Sequence, residues 1–160
     1  ITTNITKDIS NPILSERLVK GIQVKADIVQ RDEKESNIRK FLNFGHTLGH
    51  AIEAEAGYGK LSHGEAVSIG MLFALQLSEE IFHKSMPFNQ LYQWLTDNGY
   101  PLRIEQFDLE QLLLTMKRDK KAENAKIEMV LLEEIGKPSL YTMEDDWLLS
   151  QLKIFAEKVG

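Results

Sequence analysis

Between Gly64 and Phe82 the sequence GEAVSIGMLFALQLSEEIF carries apolar residues around the whole circumference of a helix, with almost no polar face before Gln76. A helix that is apolar all round has to be surrounded. This run therefore predicts a packed domain with one central helix and other elements wrapped around it. Glu, Lys or Gln breaks every long apolar run well short of the 18 residues a bilayer span needs, so no membrane segment is expected. At 160 residues, 42% hydrophobic and 27% charged, the chain suits one domain with a single core and is unlike a disordered or low-complexity sequence.

The flanking segments supply the wrapping elements. Asn11-Pro12 is a helix-start signal, and Ile13, Leu14, Leu18, Ile22, Val24, Ile28 and Val29 recur at helical spacing up to the charged run 31–35, predicting an amphipathic helix. The period continues through FLNFGHTLGHAIEAEA to Ala56, although Gly45 and Gly49 each cost about 1 kcal/mol relative to Ala inside a helix. Two such glycines imply that something approaches this backbone closely. Gly57-Tyr58-Gly59-Lys60 reads as a loop. Met86-Pro87 opens a further helix through Leu91, Trp94 and Leu95, stopped by Asn98-Gly99-Tyr100-Pro101, and Asp108 is placed to cap a helix carrying Leu109, Leu112, Leu113 and Met116. KIEMVLL from Lys126 and SLYTM from Ser139 are the credible strands, with Ile135-Gly136-Lys137-Pro138 as the turn. Asp145-Asp146 then precedes a helix through Trp147, Leu148, Leu152 and Phe155. The expected fold is mainly α: one helical domain over 1–160, with about six helices and one small β-hairpin near the C-terminus.

Charge and composition narrow the partners. Nineteen basic against 24 acidic side chains give a formal charge of -5, so no general attraction to nucleic acid or to anionic lipid is expected. Zero cysteines exclude disulfides, thiolate metal sites and a cysteine nucleophile, and are compatible with a reducing, cytoplasmic compartment. Ile1 is not an initiator Met and no signal-peptide pattern follows it, so the chain is expected to begin after processing or to be part of something longer. No strand leads into a Gly-rich turn and a helix, so a dinucleotide-binding fold is expected outside these residues.

Three of the four histidines fall within 18 residues. His46 and His50 are four apart on one predicted helix face, and His63 follows a glycine-bearing loop able to fold back toward them. Imidazole is a common ligand for zinc, and catalytic zinc sites usually take three protein ligands. A hydrogen-bonded core histidine beside an exposed one is the plainer alternative. Arg39 and Asn43 extend the same spacing toward His46 and His50 as one polar stripe, and with Lys25, Lys120 and Lys121 they form the donor set that an anionic carboxylate or phosphate would require. A solvated helix face with loop lysines accounts for each of them singly. Asp32, Glu33 and Glu35 could cap, pair with Arg39 or meet a substrate hydroxyl, and Glu53 or Glu65 could partner an imidazole. His83 has no polar company in sequence and reads as structural.

The run from Asn43 to Glu53, NFGHTLGHAIE, followed by HGEAVSIGM from His63, resembles the metal-site signature of 3-dehydroquinate synthase. The match extends upstream through Lys25 to Arg39 and downstream to Asp119-Lys120-Lys121 and the segment ending at Gly136. The resemblance implies the C-terminal metal- and substrate-binding domain of a two-domain enzyme whose N-terminal half binds NAD. It implies zinc, or another divalent metal such as cobalt, held by a Glu and two His. His46 and His63 match the two histidines, and nothing before Lys25 matches the motif of the Glu, so this chain is expected to lack one ligand. Substrate contacts carry over to Lys25, Arg39, Asn43, His50 and Lys121, or Lys120 in the alternative register, and Glu35 matches an active-site carboxylate. The implied substrate is a small anionic sugar-acid phosphate in the shikimate pathway of aromatic amino acid biosynthesis, and the implied full-length enzyme is a homodimer. The chain alone is expected not to turn over. Another sugar-phosphate cyclase of the superfamily, or a non-catalytic helical module binding metal or anions, remains the alternative.

Overall fold

The computed structural model describes residues 12–32, 38–57, 59–118 and 126–160. The chain divides into two compact units, Ile1–Leu42 and Asn43–Gly160.

In the first unit, α1 runs from Pro12 to Arg31. Proline at its first position forfeits only an N–H that the helix start leaves unbonded in any case. The Glu16–Lys20 and Asp27–Arg31 pairs, each four apart, run along its exposed surface. Its apolar residues Leu18, Val19, Ile22 and Val24 are exposed as well. A 3-10 helix follows from Ile38 to Asn43. The two are tied by Asp32, a buried side chain whose carboxylate accepts the backbone N–H of Arg39 at 3.0 Å. Capping is thus one of the expected roles that Asp32 takes.

The second unit is built around α3, His63–Phe82, whose residues from Ile69 to Ser78 are buried except Met71. The expectation of a central helix holds. Packed on it are α2 (His46–Ala56), α4 (Phe88–Asp97), strand β1 (Ile127–Glu134) and α6 (Asp145–Val159), while α5 (Leu109–Arg118) packs on α2 and α6. Phe73 of α3, fully buried, meets Phe155 of α6 with ring centroids 5.2 Å apart, and Phe88 of α4 packs on the same ring at 6.4 Å. Burying one such side chain contributes about 2–3 kcal/mol. Two buried polar groups on α3 are used for attachment. Gln76 donates to the backbone oxygen of Gln151, and Ser78 Oγ accepts the N–H of Leu132, fixing β1 against the helix.

β1 pairs antiparallel with β2, Lys137–Met143, from Ile127 opposite Met143 to Glu134 opposite Lys137, with an irregularity at Leu132/Glu134. The turn is two residues, Ile135-Gly136, with Gly136 at φ 86°, which an L side chain seldom adopts. Lys137 and Pro138 belong to the strand, a departure from the expected four-residue turn. Proline is tolerated because β2 is the edge of a two-stranded sheet. The mainly helical fold with a late hairpin is as expected, and among the described residues no helix is long and apolar enough to cross a membrane.

The larger departure is at Gly45. The expected continuous helix from Arg39 is broken there: the 3-10 helix ends at Asn43, and Gly45 takes a left-handed conformation (φ 81°) as the N-cap of α2. With three residues per turn, positions four apart in a 3-10 segment are not stacked as they are in an α-helix. What the glycines accommodate is α3. A Cβ on Gly45 would fall 2.6 Å from Met71 N, one on Gly49 3.0 Å from Val67 Cα, and one on Gly70 only 1.9 Å from Gly45 O. The helix backbones touch.

Candidate metal centre

This contact brings the start of α2 against α3 and sets the histidines. His46 is the first residue of α2, His50 lies one turn on, and His63 is the first residue of α3. Their ring centroids are 5.4 Å apart for His46 and His50, 5.3 Å for His46 and His63, and 5.7 Å for His50 and His63. One ring nitrogen from each lies within 4.8 Å of the others. Ligand atoms around a tetrahedral ion with metal–nitrogen bonds of about 2.0 Å stand roughly 3.3 Å apart. The rings of His50 and His63 are exposed, so rotation about their side-chain bonds is open to them.

Hydrogen bonds orient two of the rings. His46 Nδ1 is 3.3 Å from the carbonyl oxygen of Phe44, and His63 Nδ1 is 3.0 Å from Glu53 Oε2. A carbonyl or carboxylate oxygen accepts, so each Nδ1 carries a proton, and in the neutral ring the lone pair is on Nε2. This is the usual arrangement of an imidazole that binds a metal through Nε2. The donor set therefore fits a divalent cation with nitrogen preference, such as zinc or cobalt. An open pocket of about 380 Å³ adjoins the cluster, lined by His50, Glu53, Ala54, Gly57, Gly59 and Leu61.

The two carboxylates weighed as imidazole partners separate cleanly. Glu65 is taken by a capping box: Ser62 donates its backbone N–H and its hydroxyl to Glu65 Oε2, each at 2.7 Å, while Ser62 Oγ accepts the Glu65 N–H. The bonds from Ser62, the backbone one first, hold the Glu65 carboxyl below its ordinary value. Glu53 is the one that reaches an imidazole, and it reaches His63 rather than His50. His46, His50 and Glu53 stand at i, i+4 and i+7, a spacing that puts all three on one face of α2. The return of His63 toward that face is as expected; the Glu53–His63 pairing across the two helices is what spacing alone did not show.

Of the remaining site residues, Asn43 is exposed at the end of the 3-10 helix. Lys25 is exposed on α1, and Arg39 is half-buried in the 3-10 helix. Glu35, Lys120 and Lys121 lie outside the described residues. His83, exposed, closes α3 in a left-handed conformation (φ 53°).

The family model described as 3-dehydroquinate synthase C-terminal matches residues 2–122. The chain belongs to this family. Among curated relatives, the 3-dehydroquinate synthase of Oceanobacillus iheyensis is 51% identical over 140 residues, which is 87% of this chain and 39% of that protein. The 3-dehydroquinate synthase of Halalkalibacterium halodurans is 48% identical over 151 residues, 94% of this chain and 42% of that protein. The chain thus spans about two fifths of the length of these relatives. Among solved structures, 2-epi-5-epi-valiolone synthase from Streptomyces hygroscopicus subsp. jinggangensis, with NAD+ and Zn2+ bound, is similar with a TM-score of 0.77 at 19% identity, over 92% of this chain and 42% of that one. A 2-deoxy-scyllo-inosose synthase complexed with carbaglucose-6-phosphate, NAD+ and Co2+ gives 0.68 at 24% identity, over 85% of this chain and 38% of that one. Over the matched residues the chain therefore shares the fold of these two synthases.

Proposed function

We propose that the chain supplies the metal- and substrate-binding half of a 3-dehydroquinate synthase. The reaction is the NAD- and metal-dependent conversion of 3-deoxy-D-arabino-heptulosonate 7-phosphate to 3-dehydroquinate and phosphate, in the cytoplasm. The observation that carries this reading is the convergence of the His46 and His63 imidazoles beside an open pocket. The relatives' names and the metals and NAD+ in the titles of the similar structures support it. Sequence identity favours this substrate over that of the other cyclases, since the dehydroquinate synthases match at 48–51% and the two cyclase structures at 19–24%.

His46 and His63 hold the metal, which when bound supplies a Lewis acid beside the substrate oxygens. His50 faces the substrate from the same helix. Asn43, Lys25, Arg39 and Lys121, or its neighbour Lys120, bind the anionic ends and hold the substrate in reacting geometry, with Glu35 as the active-site carboxylate. Fixed cationic donors stabilise the charge that develops on the departing phosphate. NAD is bound by an N-terminal domain outside these residues, and the full-length enzyme is a homodimer.

Calorimetry with Zn2+ on the chain and on His46→Ala and His63→Ala variants tests the site. Each substitution should weaken binding at least tenfold, and equal affinity in all three would overturn the ligand assignment. The chain with NAD, zinc and substrate should form no dehydroquinate. Turnover under those conditions would overturn the placement of the cofactor site outside these residues.

A further inference from the structure

A metal ligand needs an orientation as well as a location, and His63 has little packing to give it one: its side chain is 54% exposed. We propose that Glu53 is the positioning residue for His63, its carboxylate accepting the Nδ1–H and so fixing the tautomer that presents Nε2 to the metal. This rests on the reading of His63 as a ligand given above.

The contact is a 3.0 Å bond from the first residue of α3 to the middle of α2. It joins the two helices at the point where the histidine cluster straddles them. The nearby alternative acceptor, Glu65, is engaged by Ser62 and does not compete. His46 receives the matching constraint from a backbone carbonyl, which no side-chain change can remove. His63 depends for its own on Glu53. Glu53 also lines the pocket together with His50. A half-exposed pair of this kind contributes little to folding stability. Its loss is felt instead in ligand geometry, where removing the outer partner of a metal-bound imidazole typically costs 10–100-fold in metal affinity.

The test compares the chain with its Glu53→Ala, Glu53→Gln and His63→Ala variants, using Zn2+ alone as the calorimetric probe and ring 15N NMR of the metal-free protein at mildly alkaline pH to read the His63 tautomer. Glu53→Ala should lose the Nδ1–H tautomer in favour of Nε2–H and bind Zn2+ about 10–100-fold more weakly, with its melting temperature unchanged. Glu53→Gln keeps an amide oxygen able to accept, and should restore most of the tautomer and part of the affinity. An unchanged tautomer in Glu53→Ala overturns the proposal, as does unchanged affinity in Glu53→Ala when His63→Ala loses it. If His63→Ala itself binds Zn2+ like the parent, the ligand reading fails, and the NMR comparison still decides whether Glu53 sets the ring.

Discussion

Gly70→Ala is the sharpest perturbation of the scaffold beneath the histidines. The added methyl would lie 1.9 Å from Gly45 O, 2.8 Å from Gly45 C and 3.0 Å from Gly49 N. All three are backbone atoms, so no side chain can swing aside, and α2 and α3 must separate by about 1 Å. Overpacking costs about 1–3 kcal/mol, and an immovable neighbour puts this case near the upper end. Alanine recovers about 1 kcal/mol as the better helix former. The net loss is about 2 kcal/mol, which for a chain of this length lowers the melting temperature by about 4–8 °C. Gly64→Ala is the control, because it lies in the same helix and a Cβ there meets nothing within 4 Å. Its melting temperature should hold or rise. Thermal unfolding followed by circular dichroism measures both, and zinc calorimetry should show weaker binding in Gly70→Ala alone, since separation moves His46 and His50 away from His63. A Gly70→Ala protein melting at or above Gly64→Ala would refute the close-contact argument.

Two substitutions probe the attachments of α3. Ser62→Ala removes the capping box and should cost about 1 kcal/mol, a drop of about 2–4 °C in the same unfolding experiment. Ser78→Ala leaves the Leu132 N–H without its acceptor beneath β1, and urea unfolding should show a loss of about 1–3 kcal/mol.

Element types were legible because burial imposes a period. The helices through Leu91 and Leu95, through Leu112 and Met116, and through Leu148 and Leu152 all appear where their apolar spacing puts them. The break at Gly45 was not legible, since a glycine within a helical period looks the same whether it tolerates a neighbour from inside the helix or caps it in a left-handed conformation. Sequence showed that Gly45 and Gly49 admit a close neighbour. Only the packing of α3 identified it as Gly70, Val67 and Met71. The histidine cluster divides the same way. Helical spacing joins His46 to His50, whereas for His63 the sequence offers a glycine-bearing loop able to fold back but not the distance at which the ring arrives. The hairpin turn lies where expected but is two residues rather than four, because an edge strand accommodates Pro138.

The touching backbones of α2 and α3 leave no compliant layer between the hydrophobic interior and the imidazoles. A core in which side chains interdigitate can absorb a lost or added methylene by local rotamer changes, but here a tilt of the inner rod passes directly to the outer one. A substitution at an interior position of α3 such as Phe73 should consequently shift His46 and His50 as well as His63, although it touches none of them.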